Sequence, residues 1–173
     1  PEIVAIGALD ARHTGCISRR LPGITVQNCD LSTLQGLTGP VPAVLDRIAA
    51  ADLSGTVGYG PFDATGHGHH RSWREYLLSV HQRADQPAGA STENDLALSL
   101  LSAHRRLIDA CPEHRRLIHG DFGSNNLLTD RYRITGVLDW ANAMFGDPLY
   151  DVAYVLYWAP WLDCMRIQAT HFQ

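Results

Sequence analysis

The chain contains no lysine: among its 173 residues the fourteen basic side chains are all arginine. Any mechanism that needs a lysine amine must draw it from outside this sequence. Cysteine is sparse as well. Cys16, Cys29, Cys111 and Cys164 stand far apart with no C-x-x-C pair, which excludes a disulfide framework or a zinc knuckle and leaves reduced thiols as the expectation. No apolar run is long enough to span a bilayer, and Pro1-Glu2-Ile3-Val4 lacks a basic n-region, so a cytoplasmic protein with no membrane partner is expected. Strong charge of one sign is also missing. A formal charge of −4 argues against nucleic acid as the main partner and leaves room for a cationic ligand.

What remains is a globular composition, 45% hydrophobic with a mean hydropathy of −0.13, long enough to bury one core. Ile3 to Leu9 and Thr14 to Leu21 read as a hairpin around Asp10-Ala11-Arg12-His13, ended by Pro22-Gly23. After a polar connection, Val41, Val44, Leu45 and Ile48 share one face of a helix over Val41 to Leu53. Gly55 to Gly68 reads as a loop. Ser72-Trp73-Arg74-Glu75 opens a helix to Val80, and Thr92 begins a long helix that Pro112 stops. Leu117-Ile118 is a short strand. Asn126 to Thr129 and Ile134 to Leu138 form two β-like runs around Asp130 to Arg133. The spacing predicts a helix from Leu149, and another from Pro160-Trp161 that is still running at the last residue.

Chemistry concentrates in one stretch. His119-Gly120 immediately precedes Asp121, with Asn126 five residues on and Asp139 eighteen on, the order of a kinase catalytic loop followed by its metal-binding Asp. If the chain folds back around residues 131 and 132, position 126 lies near 137 and position 139 near 124. Asn126 and Asp139 then offer hard oxygen ligands suited to Mg²⁺. Asp121 beside them can orient an incoming hydroxyl and take its proton, while His119 holds the loop through hydrogen bonds.

Leu117 to Thr129, Gly136-Val-Leu-Asp-Trp140 and Gly146-Asp-Pro-Leu-Tyr-Asp-Val-Ala153 resemble the aminoglycoside phosphotransferase family. Cys16 to Arg20, Ile48 to Ser54, Gly58 to Phe62, Ala143 to Asp147 and Trp158 to Met165 narrow the likeness to its hygromycin B branch. The resemblance implies an α+β, protein-kinase-like fold that is mostly the helical large lobe. Residues 1–27 would be the end of the small nucleotide lobe and the hinge, and residues 28–173 the large catalytic lobe. It further implies ATP as co-substrate, Mg²⁺, a small-molecule aminoglycoside as acceptor and antibiotic resistance as the outcome. Asp121 would be the base, Asn126 and Asp139 the metal ligands, Asp151 a brace on the catalytic loop, and Ser18, Arg19 and Arg20 the hinge strand that pairs with adenine. From the residues alone, Ser18 to Arg20 are equally a plain edge strand.

The departures are the family's glycine-rich lid, its phosphate-binding lysine and that lysine's glutamate partner, all expected before Pro1. The chain is therefore expected to be a fragment, weak in ATP binding and slow or inactive alone. Two rival readings stay open: a kinase of another small hydroxyl compound, or a non-catalytic remnant of the fold. His67, His69 and His70 read as a solvated loop rather than a metal site. Arg105-Arg106 and Arg115-Arg116 read as solvated helix ends. Trp73, Trp158 and Trp161 each read as core rather than as the lining of a cleft, and Asp147, Asp163 and Glu75 are acidic partners for a polycation by charge alone.

Overall fold

The structure is a computed structural model and describes residues 2–84 and 103–172. By packing, residues 1–47, 119–142 and 151–173 form one compact unit, and residues 48–118 and 143–150 form another.

In the first unit, β1 (Ile3–Ala8) and β2 (Thr14–Ser18) form the antiparallel hairpin. Its turn is made by Asp10, whose Oδ1 accepts the N–H groups of Arg12 at 2.7 Å and His13 at 2.9 Å. A three-stranded sheet follows in the order β3 (Ile24–Thr25), β7 (Leu127–Thr129), β8 (Ile134–Val137). The polar connection hides a helix, α1 (Leu31–Gly36), which starts because the Asp30 carboxylate accepts the Thr33 N–H at 2.8 Å. α2 (Pro40–Ala49) stops short of Leu53. Asp52 there captures the N–H and hydroxyl of Ser54, at 2.9 and 2.8 Å, and that local turn competes with the helix.

α5 (Leu149–Trp158) occupies the expected place. α6 (Asp163–Ala169) starts later than Pro160 and ends before the last residues, where the Thr170 hydroxyl turns back to the Ile167 carbonyl at 2.6 Å. The buried Gln168 side chain of α6 donates to the Leu34 carbonyl of α1 at 3.2 Å. The apolar interior of this unit includes Val26, Leu37, Phe122, Leu127, Val155 and Met165.

In the second unit a four-stranded antiparallel sheet runs β5 (Gly68–His70), β4 (Tyr59–Phe62), β9 (Met144–Gly146), β6 (Arg116–Ile118). The stretch Gly55 to Gly68, expected to be a loop, thus supplies β4 and the first residue of β5. Gly58 and Gly60 take positive φ, 74° and 73°, so the segment shows no side-chain period, and its pairing partner β9 is remote in sequence. α3 (Trp73–Ala84) opens on Ser72, whose hydroxyl accepts the Glu75 N–H at 3.0 Å, and the Glu113 carboxylate accepts the Trp73 N–H at 2.7 Å. Trp73 is core: it stacks on Tyr76 with centroids 5.1 Å apart, over Gly146.

Of the long helix expected from Thr92, only α4 (103–110) lies in the described residues. Arg115 is no solvated helix-end charge. Its guanidinium donates to the Gly58 carbonyl and the Thr56 hydroxyl, both at 2.7 Å, and lies 4.7 Å above the Phe145 ring. Among the described residues no helix is long and apolar enough to cross a membrane.

Candidate active site

The loop between β6 and β7 carries His119 to Asn126, and its shape follows from a few enforced contacts. His119 is fully buried. Its Nε2 lies 2.8 Å from the Leu138 carbonyl, which can only accept, so Nε2 bears the proton and Nδ1 accepts the Asp121 N–H at 3.3 Å. Trp140 and Phe122 meet its ring edge-on, at 4.8 and 6.0 Å between centroids.

Asp151, near the start of α5 and 2% exposed, receives the backbone N–H groups of His119 and Gly120, each at 2.8 Å. Burial pushes its carboxyl above the usual carboxylate range, against the pull of those two N–H donors. Between them Gly120 sits at φ 82°, where an added Cβ would lie 2.1 Å from the Asn142 carbonyl oxygen. Gly120→Ala is therefore expected to lower the thermal unfolding temperature, with backbone strain alone costing about 1–3 kcal/mol. An unchanged melting curve would show that the loop relaxes freely.

The Asn126 amide is oriented without ambiguity. Its Nδ2 faces two oxygens of Asp121, the carbonyl at 2.9 Å and Oδ2 at 3.2 Å, so its Oδ1 is left as an acceptor. Into that oxygen points the Nδ2 of Asn125, at 3.2 Å. The Asn126 carbonyl accepts the Leu138 N–H at 2.8 Å. The ladder register, Leu127 with Val137 and Leu128 with Gly136, therefore sets Asn126 opposite Leu138 rather than Val137. The one-residue difference is a bulge at Thr135, whose hydroxyl is drawn to the Pro22 carbonyl at 2.7 Å. Asp139 follows in a left-handed conformation, φ 56°, exposed, and its carboxylate has no hydrogen bond or ion pair with any described residue. A non-glycine residue held there is strained, as at many functional sites.

Two cavities flank this constellation in the same unit. One, about 270 Å³, is lined by Ser18, Arg19, Arg20 and Leu21 together with Leu128 and Leu138. The Arg19 N–H donates to the Glu2 carbonyl at 2.8 Å, so the alternate residue Ser18 turns its peptide groups away from β1. The other, about 130 Å³, is lined by the loop residues Gly123 to Asn125 with Gln27, Tyr154, Trp158 and Leu162. Tyr157, Trp158 and Trp161 continue it as an exposed aromatic surface with ring centroids 5.3 to 6.1 Å apart.

Each of the acids singled out by charge has partners of its own. Asp147 is buried, accepts the Leu149 N–H and faces His114 at 3.3 Å; Glu75 accepts the Arg71 N–H; Asp163 pairs with Arg166. Among the described residues no three His, Cys, Asp or Glu side chains form a metal cluster, the His67 to His70 group included. Sequence reasoning missed Asn125 because an Asn beside Asn126 looks like spacing, and missed Trp140 because nothing local says its ring covers His119.

Residues 43–171 match the phosphotransferase enzyme family, APH. The chain is 42% identical over 176 residues to the hygromycin-B 4-O-kinase of Escherichia coli, an alignment that takes in 100% of this chain and 52% of that protein. A thermostable mutant of the aminoglycoside phosphotransferase APH(4)-Ia, solved as a ternary complex with AMP-PNP and hygromycin B, superimposes with a TM-score of 0.91 at 44% identity, covering 99% of this chain and 59% of that one. The GDP and kanamycin complex of APH(2")-IIia gives 0.70 at 19% identity over 99% of this chain and 59% of that one, a likeness of fold alone. The chain spans about half the length of the curated relative it matches, whose 52% coverage leaves the rest unrepresented here. The fold is α+β and protein-kinase-like, and the chain belongs to the APH phosphotransferase enzyme family.

Proposed function

We propose that this chain is the catalytic-loop part of an ATP- and Mg²⁺-dependent phosphotransferase acting on a hydroxyl of a hygromycin B-like aminoglycoside, a cytoplasmic activity that confers resistance. The observation that carries the reading is the bonded pair Asp121–Asn126, tied through the Leu138 peptide to His119 on one side and leading directly to Asp139 on the other. Asp121 keeps one carboxylate oxygen clear of described partners to accept the acceptor hydroxyl's proton. The Asn126 Oδ1 and the Asp139 carboxylate are the hard ligands that fit Mg²⁺, which when bound neutralises charge on the transferred phosphoryl group. His119, with both ring nitrogens engaged, positions the loop and leaves proton transfer to Asp121.

The 270 Å³ cavity suits the nucleotide base, with Ser18 to Arg20 as the strand end of a small-lobe remnant over residues 1–27 and residues 28–173 as the large lobe. The aromatic cavity beside Asn125 suits the acceptor sugar rings. Three solved mutants of one relative, APH(4)-Ia, each carry Ala at one of three positions, an Asp and two Asn whose mutual spacing is that of Asp121, Asn125 and Asn126, and all three are complexes with hygromycin B and ADP or AMP-PNP. The test is transfer from labelled ATP by the full-length gene product carrying this chain, across a panel of hygromycin B, other aminoglycosides, a macrolide and choline. Label on hygromycin B supports the reading. Label only on another acceptor reassigns the substrate, and none on any acceptor favours a non-catalytic remnant.

A further inference from the structure

Asn125 touches both halves of the chemistry. Its Nδ2 donates to Oδ1 of Asn126 at 3.2 Å, while its residue lines the aromatic cavity with Trp158 and Leu162. From these contacts we infer that Asn125 couples metal occupancy to acceptor binding, an inference that rests on the phosphotransferase reading above. The Asn126 oxygen has no other described donor, and Nδ2 of the same amide is spent on Asp121, which fixes the oxygen's direction. A divalent cation drawn to that oxygen meets the positive hydrogens of the Asn125 amide beside it and weakens their bond. The freed amide then offers a donor and an acceptor to hydroxyls in the cavity, a group a sugar ring can use. An acceptor that engages Asn125 first leaves the Asn126 oxygen open to the cation by the same amount, since coupling between two binding events is reciprocal.

Gly123 adds an independent handle. A Cβ there would lie 2.3 Å from Oδ1 of Asn125, the end of a flexible side chain, and 3.7 Å from the Tyr154 ring. Gly123→Ala therefore displaces the Asn125 amide from Asn126 without disturbing packed backbone.

The test measures hygromycin B affinity by calorimetry on the full-length gene product, with a non-hydrolysable ATP analogue and with Mg²⁺ present or removed by chelation. In the wild type Mg²⁺ is expected to tighten hygromycin B binding ~5-fold or more, within the usual range of such couplings. In Asn125→Ala and in Gly123→Ala the two affinities are expected to coincide, while Mg²⁺ still tightens the nucleotide analogue. Coupling that survives in both variants overturns the inference, as does a wild type that transfers phosphate yet binds hygromycin B equally with and without Mg²⁺. A wild type that neither transfers phosphate nor binds the analogue with Mg²⁺ overturns the phosphotransferase reading first and this inference with it.

Discussion

In the full-length gene product carrying this chain, and on the function proposed above, replacing Asp121 by Asn is expected to lower kcat for phosphoryl transfer to hygromycin B by roughly 10²–10⁴-fold, the usual contribution of a positioned general base. The substitution isolates chemistry from architecture. An Asn at 121 keeps the backbone N–H that His119 accepts and the carbonyl that Asn126 holds at 2.9 Å, and its own amide oxygen can still take the longer bond from Asn126 Nδ2. The loop therefore keeps its shape while losing a proton acceptor and a negative charge. Because Asn126 and Asp139 are untouched, affinity for Mg²⁺ and an ATP analogue is expected to stay within a few-fold of wild type, and the melting curve is expected to stay unchanged. Turnover and calorimetric nucleotide affinity, measured on the same preparation, separate the two effects. A kcat within tenfold of wild type would remove Asp121 from the role of base, and a collapse of nucleotide affinity would move it into the metal site.

How much of this was readable in the chain depends on where each constraint lies. The loop and its flanking strands were legible because the His119, Asp121 and Asn126 identities are local and the apolar residues Leu127, Leu128, Ile134 and Val137 bracket a turn-rich segment. The register was not legible. The bulge at Thr135 depends on a hydroxyl reaching Pro22, a residue 113 positions away, and no local pattern announces that bond. β3, β4 and β9 escaped for a related reason: only two to four residues long, and with a glycine in β4 and in β9, they become strands only when a remote partner supplies the ladder. α1 was missed although its signal was present, since Asp30 stands three residues before Thr33 as a helix cap requires. The absence of lysine, by contrast, was legible at once.

Asp151→Asn should show how far the catalytic loop depends on its brace. The native carboxylate satisfies two buried N–H groups, those of His119 and Gly120, both at 2.8 Å. An amide of the same shape can accept one of them but must point its own N–H at the other, leaving a buried donor without an acceptor. At about 1–3 kcal/mol for such a group and about 2–4 °C per kcal/mol for a chain of this size, a fall of roughly 2–12 °C in the melting temperature is expected. Asp151→Ala, which strands both donors, should lose about twice that. The carboxyl is raised by burial above its ordinary value of 3.8, so the proton it holds in the folded state contributes stability that is fully present below that value and is lost as pH rises through the folded one. The amide has no such dependence, and the gap between wild type and Asp151→Asn is expected to narrow as pH rises across that window. Turnover should fall further than stability does, because a loop displaced by even 1 Å can cost about 10²-fold in rate. Thermal melts at several pH values, paired with turnover well below the transition, test both parts. An Asn variant with native melting and native turnover would show that the two N–H groups find other partners and that Asp151 does not hold the loop.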